Sequence, residues 1–248
     1  MTSQPAAAQA ATTEDFSHNL AAVQQRINAA ATSVGRDPAS VRLLPVTKTI
    51  PADRLRLAIA AGVDTLGENK VQEAMAKHEE FVEDYPHLRY SIIGPLQTNK
   101  AKFVAQFADE FHALDSLKLA ETLQRRLEVE DRRLEVFIQV NTSGEESKSG
   151  IQADEAAQLL SAIEPLDRLI PVGLMTMAAN TTNEASIRAS FGLLRQTLQQ
   201  LQEAGAPESF TELSMGMSGD FELAIQEGAT VVRVGQGIFG ARKYPTTA

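Results

Sequence analysis

The sequence predicts a single (β/α)8 barrel with an extra N-terminal helix, and three observations carry that expectation. The 248 residues suit one large domain, because barrels of this type run to about 250 residues as one unit. Eight short apolar runs alternate with eight amphipathic segments along the chain. Several of the runs, such as Val136–Val140 and Val231–Val234, are nearly continuous in Val, Ile or Phe, as strands buried on both faces of a parallel sheet are. A doubly wound open sheet shares the alternation, but eight regular units fit closure better. No Pro/Gly/Ser-rich linker and no charge block divides the chain. Residues 14–248 therefore read as one domain, preceded by a disordered leader at residues 1–13 that is rich in Ala, Thr, Gln and Ser.

The elements follow in order. Glu14–Val34 reads as a helix, with Phe16, Leu20, Val23 and Ile27 at three- and four-residue steps. Thr12 or Thr13 is placed to cap it and Gly35 to end it. The first unit is the strand Val41–Val46 with the helix Pro51–Ala61. The next are Asp64–Gly67 with Lys70–Glu83, Tyr90–Gly94 with Asn99–Phe107, and Phe111–Leu114 with Leu117–Val129. Then come Leu134–Val140 with Asp154–Ile163, Leu169–Met175 with Glu184–Glu203, and Glu212–Met215 with Asp220–Glu227. Thr230–Val234 is the eighth strand.

Composition narrows the function. Hydrophobic residues make up 43% and charged residues 22%, which is ordinary for a globular chain. A net charge of −9 argues against nucleic acid and anionic membrane as partners, since both need a basic surface. No run approaches the ~18–20 apolar residues of a membrane span. The chain has no cysteine, which removes disulfides, thiolate metal sites and thiol nucleophiles and suits the cytoplasm. The four histidines fall at no metal-ligand spacing.

In a parallel barrel, function gathers where strands end and the following loops begin. The first strand runs into Pro45-Val46-Thr47-Lys48-Thr49. A lysine placed there is either a Schiff-base amine, since desolvation favours the neutral nucleophile, or a snorkelling side chain with its head in water. The second strand ends Gly67-Glu68-Asn69. Asn69 there is a ligand contact or simply the cap of the next helix. The third ends Gly94-Pro95, which is turn chemistry. The fifth leads into a polar, glycine-bracketed loop, Asn141 to Gly150, without the order of a nucleotide P-loop.

The seventh strand ends Ser214-Met215-Gly216-Met217-Ser218-Gly219-Asp220, and the eighth ends Arg233-Val234-Gly235-Gln236-Gly237. Small residues at paired loops after strands seven and eight point to a phosphate site built from backbone amides. The formal G-x-G-x-x-G at Gly235–Gly240 has too little chain after it for a Rossmann unit. Gly216-Met217-Ser218-Gly219 is one residue off a nucleophile elbow, and no histidine follows it. Arg233, set between valines, is either an outward arginine at the strand–helix seam or a guanidinium facing the ring end of a ligand whose phosphate sits at Gly235.

Taken together these fragments resemble one family. Pro45–Thr49, Gly67–Asn69 with Val71-Gln72-Glu73, Ile93–Lys100, Gln139–Asn141 through Lys148-Ser149-Gly150, Gly173–Met177, Leu213–Ser218, and Val232–Gly235 with Ile238–Arg242 occur in the order of the YggS/PROSC (PLPBP) family of pyridoxal phosphate homeostasis proteins. The resemblance spans roughly Asp15 to Tyr244. It implies a barrel like the N-terminal domain of alanine racemase, with pyridoxal 5′-phosphate held as a Schiff base on Lys48. It further implies Arg233 at the pyridine nitrogen, Asn69 beside the ring and Met215 packed near it. Ser218, Gly219, Gly235 and Gln236 would cradle the phosphate. The family pattern often has histidine where this chain has Ser91, and a small hydroxyl residue where it has Gln236.

The function implied is buffering or delivery of the cofactor inside the cell, to PLP-dependent apo-enzymes, by a monomer without catalytic turnover. Only eight residues follow Gly240, so the second domain with which related racemases complete their active site is not expected. Two alternatives remain at this point. One is an amino-acid racemase or lyase using the same lysine. The other is a barrel enzyme for small phosphorylated metabolites, without a Schiff base.

Overall fold

The computed structural model describes residues 10–145 and 148–240. The leader before Ala10, Glu146 and Ser147 of the polar loop, and residues 241–248 with Ala241 and Arg242 of the closing motif lie outside the described residues.

The first helix, α1 (Thr13–Ser33), buries Phe16, Val23 and Ile27 along one stripe. Its start is set by a reciprocal cap. Thr12 Oγ1 accepts the Asp15 N–H (3.2 Å), and Asp15 Oδ2 accepts the Thr12 N–H (3.0 Å). It stops where Gly35 takes a left-handed φ of 71°. The alternating units are β1 (Arg42–Pro45), α2 (Ala52–Ala60), β2 (Thr65–Glu68), α3 (Val71–Phe81), β3 (Arg89–Ile92), α4 (Ala101–Phe107), β4 (Glu110–Leu114) and α5 (Leu117–Val129). They continue as β5 (Leu134–Gln139), α6 (Ala156–Ile163), β6 (Leu169–Met175), α7 (Glu184–Glu203), β7 (Glu212–Ser214), α8 (Phe221–Gln226) and β8 (Val231–Val234). One α-helix among the described residues has no counterpart in the sequence reading. Gln236–Phe239, read as loop, forms a one-turn helix, α9. Gly237, a poor helix former, is carried there by packing, because Phe239 meets Phe16 of α1 edge to face at 5.6 Å and the Ile238 carbonyl accepts from Asn19 Nδ2 at 2.9 Å.

Among the described residues, eight parallel strands follow one another in the cyclic order β1-β8-β7-β6-β5-β4-β3-β2. An open doubly wound sheet reverses its strand order at a switch point; this one does not. The ends meet at a single parallel bridge, Val46 with Gly67, where the Thr47 N–H donates to the Gly67 carbonyl at 2.9 Å. The barrel is thus closed at the rim where the strands end and parted lower down. A groove of about 610 Å3 follows the parted seam, with Leu20 and Gln24 of α1 in its wall.

Strands β2, β4 and β8 are buried along their whole length. Their polar residues are of two kinds: Glu68 on β2 turns outward to Lys77 of α3, while others are aimed into the barrel. On β4, Glu110 and His112 are two apart and so share a face. His112 Nδ1 reaches across the interior to Ser214 Oγ on β7 at 2.9 Å, so that face is the inner one.

Candidate functional site

A cavity of about 330 Å3 opens at the carboxyl ends of the strands, in the small part of the roughly 300–1,000 Å3 range of ligand sites. Each side chain in it has a local reason to be there. Lys48 follows β1 in a tight turn, in which the Ile50 N–H donates to the Thr47 carbonyl at 3.0 Å. Asn69 follows β2. Gly94 lets β3 end against it: a β-carbon at Gly94 would stand 2.3 Å from the Asn69 carbonyl oxygen. Gly94→Ala is therefore expected to push the two strand ends apart. Overpacking of this kind costs about 1–3 kcal/mol, read as a lower denaturation midpoint together with weaker ligand binding in the cavity.

After β7, Gly216 turns the chain with a φ of 90° while its missing β-carbon leaves room for Ala224 and Phe221 of α8. The turn is fixed by the Met217 N–H, which donates to Asp220 Oδ1 at 2.6 Å. This brings Ser218 Oγ to the Gly235 N–H (3.3 Å) and joins the loops after β7 and β8. The first N–H groups of a helix have no acceptor inside it, and in α9 these groups begin beside Gly235, in the cavity wall.

Arg233 closes the floor of the cavity. It is 4% exposed, with Nη1 donating to Ser214 Oγ (2.7 Å) and Nη2 to the Thr176 carbonyl (2.8 Å). Burial lowers the guanidinium to about 10 and Asp220 opposes it, so the group stays charged at neutral pH. Below it runs a polar column through the barrel. Ser214 Oγ accepts from Arg233, so its own proton goes to His112 Nδ1. His112 Nε2–H then donates to Glu110 Oε2 at 2.9 Å. Glu110 also accepts from Ser91 Oγ (2.6 Å) and pairs with Arg42 Nη2 (2.9 Å). Burial pushes the His112 imidazole down, in keeping with the neutral tautomer this chain of donors requires. Burial pushes Glu110 up, but the hydrogen bond from His112, the Arg42 guanidinium and the Ser91 hydroxyl outweigh it and hold the carboxyl below its ordinary range.

Seven of the eight residues expected at the site line this one cavity: Lys48, Asn69, Ser218, Gly219, Arg233, Gly235 and Gln236. Met215 is placed differently. It is fully buried, and the methionines that reach the cavity are Met175, Met177 and Met217. Strand alternation is the reason, because Ser214 points into the barrel and the next residue points away. Sequence reasoning missed His112, Glu110 and Ser214 as the support of Arg233. The signal was present as a Glu-x-His pair at the head of an apolar run.

A second buried cluster lies beside the Lys48 turn. Glu68 Oε1 accepts from Thr47 Oγ1 and from Lys77 Nζ, each at 2.5 Å. Burial raises the Glu68 carboxyl, and the Lys77 charge and the bonds from Lys77 and Thr47 pull it back.

The donor set fits a small planar anion: a buried guanidinium, joined loops rich in N–H groups and a lysine amine line one cavity. Comparison with known proteins agrees. Residues 18–243 match the family model described as alanine racemase, N-terminal domain. A pyridoxal phosphate homeostasis protein of Vibrio alginolyticus is 45% identical over 85% of this chain and 90% of its own. One of Pseudomonas aeruginosa is 43% identical over 94% and 98%. The solved structure of PipY from Synechococcus elongatus, with PLP bound, superposes with a TM-score of 0.79 at 35% identity, covering 91% of this chain and all of that one. The chain belongs to the alanine racemase N-terminal-domain family and, within it, to the pyridoxal phosphate homeostasis proteins.

Proposed function

We propose that this protein binds pyridoxal 5′-phosphate in the cavity at the strand ends, attached through Lys48, and holds it in the cytoplasm for apo-enzymes that need it, acting as a monomer without turnover of its own. The observation that carries this reading is the convergence of Lys48, Arg233 and the joined loops at Ser218 and Gly235 on one cavity. When bound, the cofactor supplies an aldehyde that a lysine amine condenses with, releasing one water.

The chain's own residues then have distinct tasks. Ser218, Gly219, Gly235 and Gln236 hold the phosphate, chiefly through main-chain N–H groups. Asn69 lies beside the ring, and Met175 and Met177 supply apolar wall. Arg233 faces the ring nitrogen. A guanidinium is a donor only, so it leaves that nitrogen unprotonated, which weakens the electron sink that carbanion chemistry draws on. Among the described residues the cavity wall holds no carboxylate, imidazole or phenol. Apart from Lys48, then, no described side chain in it is placed to relay a proton during catalysis. Both features support storage over catalysis.

Titration of the cofactor-free protein with pyridoxal 5′-phosphate tests this. The expected result is a visible absorbance band that saturates near one equivalent per chain, a borohydride-stable mass increase on the peptide carrying Lys48, and transfer of the cofactor to an apo-enzyme. Sedimentation equilibrium checks the monomer. Repeated turnover of alanine or another amino acid, lost in Lys48→Ala, would replace storage with catalysis as the function.

A further inference from the structure

We propose that Lys77, a second lysine outside the cavity wall, is the positioning residue for Lys48, acting with Glu68 and Glu73 to hold the turn that presents it. The proposal rests on the reading of Lys48 as the attachment point. Its own basis is the turn itself. Thr47–Ile50 is a four-residue turn closed by the Ile50 N–H on the Thr47 carbonyl, with Lys48 and Thr49 as its central residues. Thr49 has a φ of 67°. That conformation belongs to glycine at the third position of a turn and is a true outlier for a β-branched side chain. Such a residue stays there only where its surroundings over-determine it.

The surroundings are on α3 and β2. Glu73 Oε1 accepts the Thr49 N–H at 2.5 Å. Lys77 Nζ, from one turn further along α3, donates to the same Glu73 oxygen at 2.9 Å, to Glu68 Oε1 at 2.5 Å and to the Thr47 carbonyl at 2.8 Å. Glu68 Oε1 in turn accepts from Thr47 Oγ1. The ammonium of Lys77 thus ties together the residues on both sides of Lys48. Its three donors are all used, and its side chain is 9% exposed. Without it, two carboxylates, one fully buried, would face each other beside the turn, and Glu73 would no longer be held in place to accept from Thr49. The threonine would return to negative φ, which rotates the Lys48–Thr49 peptide and moves the Lys48 side chain within the cavity.

Four variants test this: Lys77→Met, Glu73→Ala, Glu73→Gln and the double variant Glu73→Ala/Thr49→Gly. Three readouts are taken with pyridoxal 5′-phosphate as the probe: the rate at which the visible band forms, the circular dichroism of that band, and the site of borohydride labelling. A displacement of about 1 Å costs on the order of 10–100-fold in rate, so K77M and E73A are expected to slow by that much and to lose most of the dichroism. E73Q, whose amide oxygen can still accept from Thr49, is expected to stay close to wild type. T49G is expected to restore much of the rate in the E73A background, because glycine adopts positive φ unaided. A merely structural role for the cluster would lower the denaturation midpoint without this pattern. Should K77M fail to fold, Glu73 is partly exposed (27%) and its variants carry the comparison. A label that appears on Lys48 at the wild-type rate and with wild-type dichroism in K77M and E73A overturns this proposal alone. A label on some other lysine overturns the attachment reading beneath it.

Discussion

Glu110→Ala is expected to destabilise the fold by about 2–6 kcal/mol, because it strands two buried donors at about 1–3 kcal/mol each. Glu110 is 2% exposed and receives Arg42, Ser91 and His112 together. Its loss leaves the His112 N–H and the Ser91 hydroxyl without an acceptor inside the barrel, and the column no longer ends on a charge that balances Arg233. Glu110→Gln keeps one acceptor for His112 and should lose less. The pH dependence has a definite sign. His112 is held below its unfolded value of about 6.5, so as pH falls the unfolded chain takes up that proton first. Stability is full above that value and declines below it, by up to ~1.4 kcal/mol per pH unit for one such group. Glu110, held below its ordinary range, adds a further loss in the same direction as pH falls through the carboxylate range. His78, also lowered by burial, contributes to the first slope, so His112→Gln against wild type isolates the His112 share. Urea denaturation between about pH 7 and 5 reads it. Equal slopes in the two proteins would show that His112 is not the buried neutral group described here.

Lys48→Ala is expected to abolish covalent attachment completely while leaving reversible binding of the cofactor. The phosphate loops and Arg233 do not depend on the lysine, so weakened, dialysable binding should survive. Among the described residues of the cavity wall, Lys48 is the only lysine. Lys77 is committed to Glu68, Glu73 and the Thr47 carbonyl. Lys148 lines an adjoining hollow, bonded to the Ala178 carbonyl (2.6 Å) and paired with Glu145 (3.0 Å). Intact-mass analysis after borohydride should therefore find unmodified protein. A stable adduct in K48A would show that attachment is not specific to this position.

The alternation of apolar runs and helices was enough to define the barrel, because strands buried on both faces leave an unbroken apolar signature in sequence. The cavity residues were legible for a related reason. Lys48, Asn69, Ser218 and Gly235 each stand directly after a strand, and in a parallel barrel all such positions share one rim. What stayed hidden depends on contacts between distant strands. Glu110 stands just before the apolar run Phe111–Leu114, and His112 has no metal-ligand spacing to mark it. Their pairing with Ser214, 102 positions later than His112, exists only once the sheet closes. Lys77 has no place in any motif, and Glu73 entered only with the fragment Val71-Gln72-Glu73. Nothing in their spacing announced that the helix turns them toward Lys48.

The seam between β1 and β2 bears on how the molecule breathes. On β1 the N–H groups of Arg42 and Val46 donate toward β8, so the intervening positions Leu43 and Pro45 face β2. Neither makes a bridge to it among the described residues. Proline there is apt, since it has no N–H to leave unpaired on an unbridged edge. Amide exchange at Leu43 should accordingly run ahead of exchange at Thr47, whose N–H is held by Gly67 at the collar. Local opening then starts at the foot of the seam and stops short of the rim, so the lower barrel can loosen and reclose while the lysine at its top keeps its place.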